Sequence, residues 1–222
     1  MNFLSHFYFD RHTTDCYHVL GIVLPDLLKN ADKNIILHPE KIKFTEGPEQ
    51  AIQQGWLKHL EVDRHFHNSD FFKTNSHQLK LSLLPAMVGS PVKPFFLGHI
   101  ALELLLDNLL LTTDMVKAQD FYTHLNDCSL EVIHSFLSRS GMADPNIFLR
   151  FFENFKRNEY LHSYAETDKV TYALKRVCMR IWSNPFNEEN EVGMNAAINN
   201  YRQKLQNSFM AVFDDIEALL PE

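Results

Sequence analysis

Apolar side chains recur at every third or fourth position over most of this chain, and only 7 glycines in 222 residues interrupt the pattern. A period near 3.6 puts those residues on one face of a helix, so the sequence predicts an all-α fold with its apolar faces turned to a core. Helices are expected over roughly 2–9, 15–30, 47–68, 70–82, 93–112, 114–139, 144–163, 166–182 and 189–219. Some ends are chemically marked. Asp144 before Pro145 sets a capping side chain ahead of a residue suited to the first helical position, and "TEGPEQ" prepares the helix that begins near 47. The stretch "NADKNIILHPEKIKF" is polar, aperiodic and contains Pro39, which predicts a loop with length enough for a lid. A chain of this size can bury one substantial core, so a single helical-bundle domain over 1–222 is expected, without repeats.

Composition narrows the function. With 28 acidic against 21 basic residues the net charge is −7, and no Lys/Arg block is dense enough to track a phosphate backbone, which argues against a nucleic-acid partner. Cys16, Cys128 and Cys178 are too few and too far apart for a disulfide framework or a cysteine zinc site, and they suit a reducing compartment. "MNFLSHFYFDRHTTD" has neither a basic leader nor a small-residue cleavage site, so it does not read as a signal peptide. The apolar runs "GIVLPDLL" and "ALELLLDNLLL" are short of the ~20 residues a membrane span needs, and both carry acids. A cytoplasmic protein without a membrane partner is expected; nothing in the sequence sets an oligomeric state.

Two segments carry chemistry. In "HLEVDRHFHNSD" His59, Asp63 and His67 stand at i, i+4 and i+8, and "GHIALELLLDNLL" repeats the spacing with His99, Glu103 and Asp107. Neighbouring rungs of such a ladder share a helix face ~6 Å apart along the axis, whereas the outer rungs are ~12 Å apart, too far for one ion. Each ladder can therefore offer two adjacent side chains to a metal, or one to each of two sites, with another helix supplying the rest. Imidazole and carboxylate suit Mn²⁺, Fe²⁺ and Zn²⁺.

The surroundings of the ladders differ. His99, Glu103 and Asp107 lie among Phe96, Leu97, Ile100, Leu102, Leu104, Leu105 and Leu106. An ionised acid enclosed there costs on the order of several kcal/mol unless a charge, hydrogen bonds or a metal compensates it. Glu103 is thus expected either to pair with a Lys or Arg or to serve a metal, and His99 either to bond a backbone carbonyl or to be a ligand. His59 and Asp63 flank the apolar side of an amphipathic helix; His65 reads as surface, and His67 near the helix end stays open. His6 in "MNFLSHFYF" and Asp26 after Pro25 in "VLGIVLPDLLKN" are each explicable as a core histidine and a helix cap. Together, four apolar segments each hold an unexplained His or Asp, which is the pattern of a metal or acid–base centre.

The segments "MNFLSHFYFD", "VLGIVLPDLLKN", "GWLKHLEVDRHFHNSDFF" and "NEYLHSYAETDKVTYALKRVCMRI" resemble, in this order, those of acyl carrier protein phosphodiesterase. The resemblance implies an HD-domain-like helical fold and dependence on a divalent cation, Mn²⁺ first, with Fe²⁺ or Zn²⁺ as alternatives. It also implies release of 4′-phosphopantetheine from the serine of holo acyl carrier protein. On it His6, Asp26, His59 and Asp63 fall in the family's polar core, and His99 matches a histidine of the next central helix. The family has an Asp directly before that histidine; Gly98 stands here, no adjacent His-Asp pair occurs, and Glu103 or Asp107 could substitute.

An ion held by His59, Asp63 and His99, with Asp26 or Glu103 completing its shell, would activate a water for hydrolysis. Arg176 and Arg180, one turn apart on the helix "YALKRVCMRI", would hold the phosphate. Acyl carrier protein, an acidic partner, would need Lys and Arg gathered at the mouth of the pocket. The alternative is a relative without catalysis that binds a small ligand or partner protein in the inherited pocket. A redox metalloprotein fits less well, because neither ladder contains Glu-x-x-His.

Overall fold

The computed structural model describes residues 1–220, and among them every regular element is helical. The all-α expectation is borne out, and the architecture is consistent with an HD-domain-like fold. In chain order the α-helices are α1 (Phe3–Tyr8), α2 (Cys16–Ala31), α3 (Gly47–Asn68), α4 (Asp70–Leu83) and α5 (Pro94–Thr112), then α6 (Ala118–Asp127), α7 (Leu130–Arg139), α8 (Pro145–Asn158), α9 (Thr167–Cys178), α10 (Glu188–Leu205) and α11 (Met210–Glu217). Several start where side chains satisfy the first N–H groups. Asp15 accepts from Tyr17 and His18, Ser69 from Phe72, Asp144 from Asn146, and Asn187 with Asn190 forms a reciprocal capping pair.

Three expected helices are shorter than their apolar period. The segment 114–139 is broken into α6 and α7 by extended backbone at Cys128 and Ser129. The last segment breaks after Leu205, where its carbonyl takes both Ser208 and Phe209 N–H and tightens the chain into a turn before α11. α8 stops at Glu159, whose φ of 43° is left-handed, and a 3-10 stretch over Tyr160–Ala165 follows. The loop between α2 and α3 holds one 3-10 turn, Pro39–Lys41, and is pinned down. Phe44 is buried and stacks on Phe136 at 4.9 Å, while Gln53 Nε2 donates to the carbonyls of Pro39 and Ile42. A lid would need its contacts to be weaker than these.

The chain divides into two compact units, one made of Met1–Ser5, Arg64–Met115 and the chain from Ser163 on, the other of His6–Asp63 and Val116–His162. In the first, α5 packs against α4 and α9, and α10 against α4 and α9. α5 is apolar nearly all round, with Leu97, Ala101, Leu102, Leu104, Leu105, Leu106, Leu109 and Leu110 buried. At 19 residues it is longer than the apolar run at its centre and long enough to cross a membrane by length and composition, yet 61% of its apolar window is buried inside the protein. Asp107 on α5 is enclosed, and its carboxylate receives Leu4 N–H (3.2 Å), Ser5 N–H (2.8 Å), Ser5 Oγ (2.7 Å) and Asn2 Nδ2 (2.9 Å). It thereby caps the first turn of α1, a six-residue helix with too few internal hydrogen bonds to stand alone.

In the second unit α2 packs on α6 and α8, and α8 on α6 and α7. α8 turns Phe148, Phe152 and Phe155, at i, i+4 and i+7, into this core. Each such burial stabilises by about 1.5–3 kcal/mol. α2 and α3 touch backbone to backbone at Gly21 and Gly55: a Cβ on Gly55 would lie 2.3 Å from His18 O and 2.8 Å from Gly21 Cα. No side chain fits between them.

Candidate metal centre

That glycine crossing sets the next turn of each helix. One turn beyond Gly55, His59 Nδ1–H donates to the carbonyl of Ile22 at 2.9 Å, in the part of α2 where Pro25 lacks an N–H and interrupts the helical ladder. A carbonyl can only accept, so Nδ1 carries the proton and Nε2 keeps its lone pair. Nε2 faces Asp63, one turn further on α3, at 3.6 Å from Oδ2. A backbone acceptor of this kind orients metal-binding histidines and fixes their tautomer.

His6, from α1, stacks on His59 with ring centroids 4.0 Å apart and planes 21° from parallel. Its Nε2 lies 3.2 Å from Asp63 Oδ1. It is 2% exposed, and neither ring nitrogen has a properly directed hydrogen bond among the described residues. Burial, then the neighbouring His59, lower its pKa to about 4 against the pull of Asp63, so the imidazole is neutral near pH 7. Burial acts to raise the Asp63 carboxyl, but the contact with His6 and nearby positive charge outweigh it and hold the acid well below the usual carboxylate range. Two imidazoles, that of His6 neutral, and one ionised carboxylate converge.

Donor chemistry and spacing fit a divalent ion. Ligands held ~2.1 Å from one ion lie about 3.0–3.4 Å from one another, close to the 3.2 and 3.6 Å found here. All three ligand atoms fall within 4.8 Å of each other. A buried histidine with unpaired ring nitrogens is costly on its own and is explained by a ligand it could bind. His6, His59 and Asp63 would hold Mn²⁺, Fe²⁺ or Zn²⁺.

The remaining expected site residues are placed differently. His99 is gathered with Glu103 and with His67 at the end of α3, a second group whose ligand atoms also lie within 4.8 Å. His99 Nε2 is 3.0 Å and His67 Nε2 3.8 Å from Glu103 Oε1, which is also 3.2 Å from the Met1 nitrogen. Asp26 lies half-buried one turn past Ile22 and belongs to neither group. Arg176 is exposed near the end of α9, and the helix stops at Cys178, so Arg180 stands exposed in the following turn rather than on the same helical face. Asp107 is occupied as the cap of α1 and is no stand-in for a ligand. Gly98, where the resemblance leads to the expectation of an acid, is buried at the contact of α4 and α5. A Cβ there would lie 2.5 Å from Ser76 O and 2.9 Å from Lys80 Cβ.

His67 was legible only as the third rung of its ladder, and nothing in the sequence marks the Ile22 carbonyl as the partner of His59. The family profile for acyl carrier protein phosphodiesterase matches residues 1–216. No curated protein and no solved structure gives a significant match.

Proposed function

The chain belongs to the acyl carrier protein phosphodiesterase family, and from that premise we propose that it is a metal-dependent hydrolase of phosphodiesters. Its substrate on this reading is holo acyl carrier protein, from which it releases 4′-phosphopantetheine, or a related phosphate ester, in the cytoplasm. The observation that carries the reading is the largely buried group of His6, His59 and ionised Asp63, in which the His6 ring nitrogens make no properly directed hydrogen bond among the described residues. When bound, a divalent ion supplies Lewis-acid charge and lowers the pKa of water. Asp63 contributes a carboxylate that stays ionised, and His59 is held by Ile22 with Nε2 toward it. His6 closes the group from the opposite face of the His59 ring. Asp26 is proposed as the acid that handles the proton of the reaction, and Arg176 and Arg180 as cations for the phosphate.

The net charge of −7 opposes an acidic partner, but the charge is unevenly spread. Between 169 and 180 the chain carries Lys169, Lys175, Arg176 and Arg180 and no acid, a local basic stretch suited to an acidic surface. Gly98 favours a second reading: the family's acid cannot fit at this helix contact, which agrees with a relative that binds ligand or partner without turnover.

Asp63→Ala separates the two readings. Turnover is expected to require Mn²⁺ in the native protein, measured as phosphopantetheine released from holo acyl carrier protein, and to be lost in the variant with its helical circular dichroism unchanged. Native protein that binds Mn²⁺ without releasing product supports the silent relative; a variant that keeps turnover refutes the site.

A further inference from the structure

We infer that His67, His99 and Glu103 form a second metal site, complete in itself, that takes a borderline divalent ion such as Zn²⁺ or Fe²⁺. Its ligand set, two imidazoles and one carboxylate, is that of open catalytic zinc and non-haem iron centres, which keep positions free for water or a small molecule. Both imidazoles present Nε2 to the same carboxylate oxygen, at 3.0 Å for His99 and 3.8 Å for His67. Those distances bracket the separation of about 3.0–3.4 Å expected between ligands of one ion.

The rings are held in place. Phe72 meets His67 edge-on at 4.8 Å and 88°, and His99 at 4.9 Å and 80°, so one aromatic fixes both. Phe72 reaches them because α4 lies directly against α5 at Gly98, which has no side chain to hold the helices apart. The missing side chain at Gly98 therefore seats this second group. Side chains of His67, His99 and Glu103 are 33%, 37% and 13% exposed, so the site is reachable from solvent yet anchored by its acid. The proposal does not rest on phosphodiester chemistry and stands if the chain hydrolyses nothing.

Metal stoichiometry tests it. Full-length protein stripped with chelator is titrated with Zn²⁺ by calorimetry, and with Co²⁺ for its visible absorption. Two ions per chain are expected for the native protein, one for His99→Ala, one for Asp63→Ala and none when both are changed. Glu103→Gln should lose the same ion as His99→Ala, since a neutral amide is a poor ligand; His67→Ala gives the same comparison without touching the carboxylate. Zinc should raise the Tm of Asp63→Ala but not that of the double variant. The inference is overturned if the native protein binds one ion that His99→Ala retains, if it binds only one ion and either variant alone abolishes that binding, or if no ion binds.

Discussion

Replacing Gly55 by Ala tests the link from packing to site. In an unconstrained helix interior Ala is favoured over Gly by about 1 kcal/mol. Here the added Cβ would sit 2.3 Å from His18 O, 2.8 Å from Gly21 Cα and 2.8 Å from Ile22 N, all backbone atoms that cannot rotate away. Restoring ordinary contact, which begins near 3.4 Å, moves α2 and α3 apart by about 1 Å. Overpacking of this kind costs about 1–3 kcal/mol, and loss of the His59 to Ile22 hydrogen bond adds about 1 kcal/mol. A net loss near 2 kcal/mol corresponds to a fall of roughly 4–8 °C in Tm for a chain of this length.

The same shift frees the His59 ring, and loss of such an orienting partner weakens metal binding about 10–100-fold. Thermal unfolding of the metal-free protein and calorimetric titration with Mn²⁺ read the two effects, with Gln54→Ala, at an exposed position on the same helix, as the control for helix preference. A Gly55→Ala protein with unchanged or higher Tm, or with native affinity for the ion, refutes the argument that this crossing positions His59.

Other outcomes follow from the same geometry. Gly98→Asp, which installs the family's acid, should destabilise by more than about 3 kcal/mol and leave little folded protein in a urea titration, because a charged side chain is forced against Ser76 O and Lys80. Asp107 is pushed up to about 7 by burial, against the pull of its Ser5 and Leu4 donors. An acid whose folded pKa is raised keeps its proton longer in the native state, so it lowers stability as pH rises from about 4 to 7, by on the order of 4 kcal/mol in all. Asp107→Asn should remove that decline, seen by comparing urea midpoints of the two proteins from pH 5 to 8. Arg176→Ala should raise KM for holo acyl carrier protein with little change in Tm, since the side chain is exposed.

Helix type was readable from apolar period alone because few glycines and many three-four repeats leave no other local solution. The breaks at Cys128 and Leu205 were not, since the apolar period continues across them and tertiary packing decides where the chain turns. The pair His59 and Asp63 was readable because both lie on one helix at a fixed spacing. His6 was suggested by its apolar setting, but its stacking on His59 depends on where α1 lies, which no local pattern encodes. The grouping of His99 with His67 was hidden for the same reason. Spacing along α5 named Glu103, whereas placing His67 beside them required knowing where the end of α3 lies against α5. Asp107 looked like a spare acid until its four donors were visible, all of them on residues 102 or more positions earlier.

That separation in sequence has a consequence during synthesis. The helix that carries His6 is made well ahead of α5, yet it is too short to persist until the carboxylate of Asp107 reaches its first turn. The 102 positions between Ser5 and Asp107 must be added before that happens. Until then the N-terminal residues travel as an uncommitted apolar strand, open to chaperones, and His6 is withheld from any ion. His6 thus joins His59 and Asp63 only once α5 has been made, and order of synthesis becomes order of assembly.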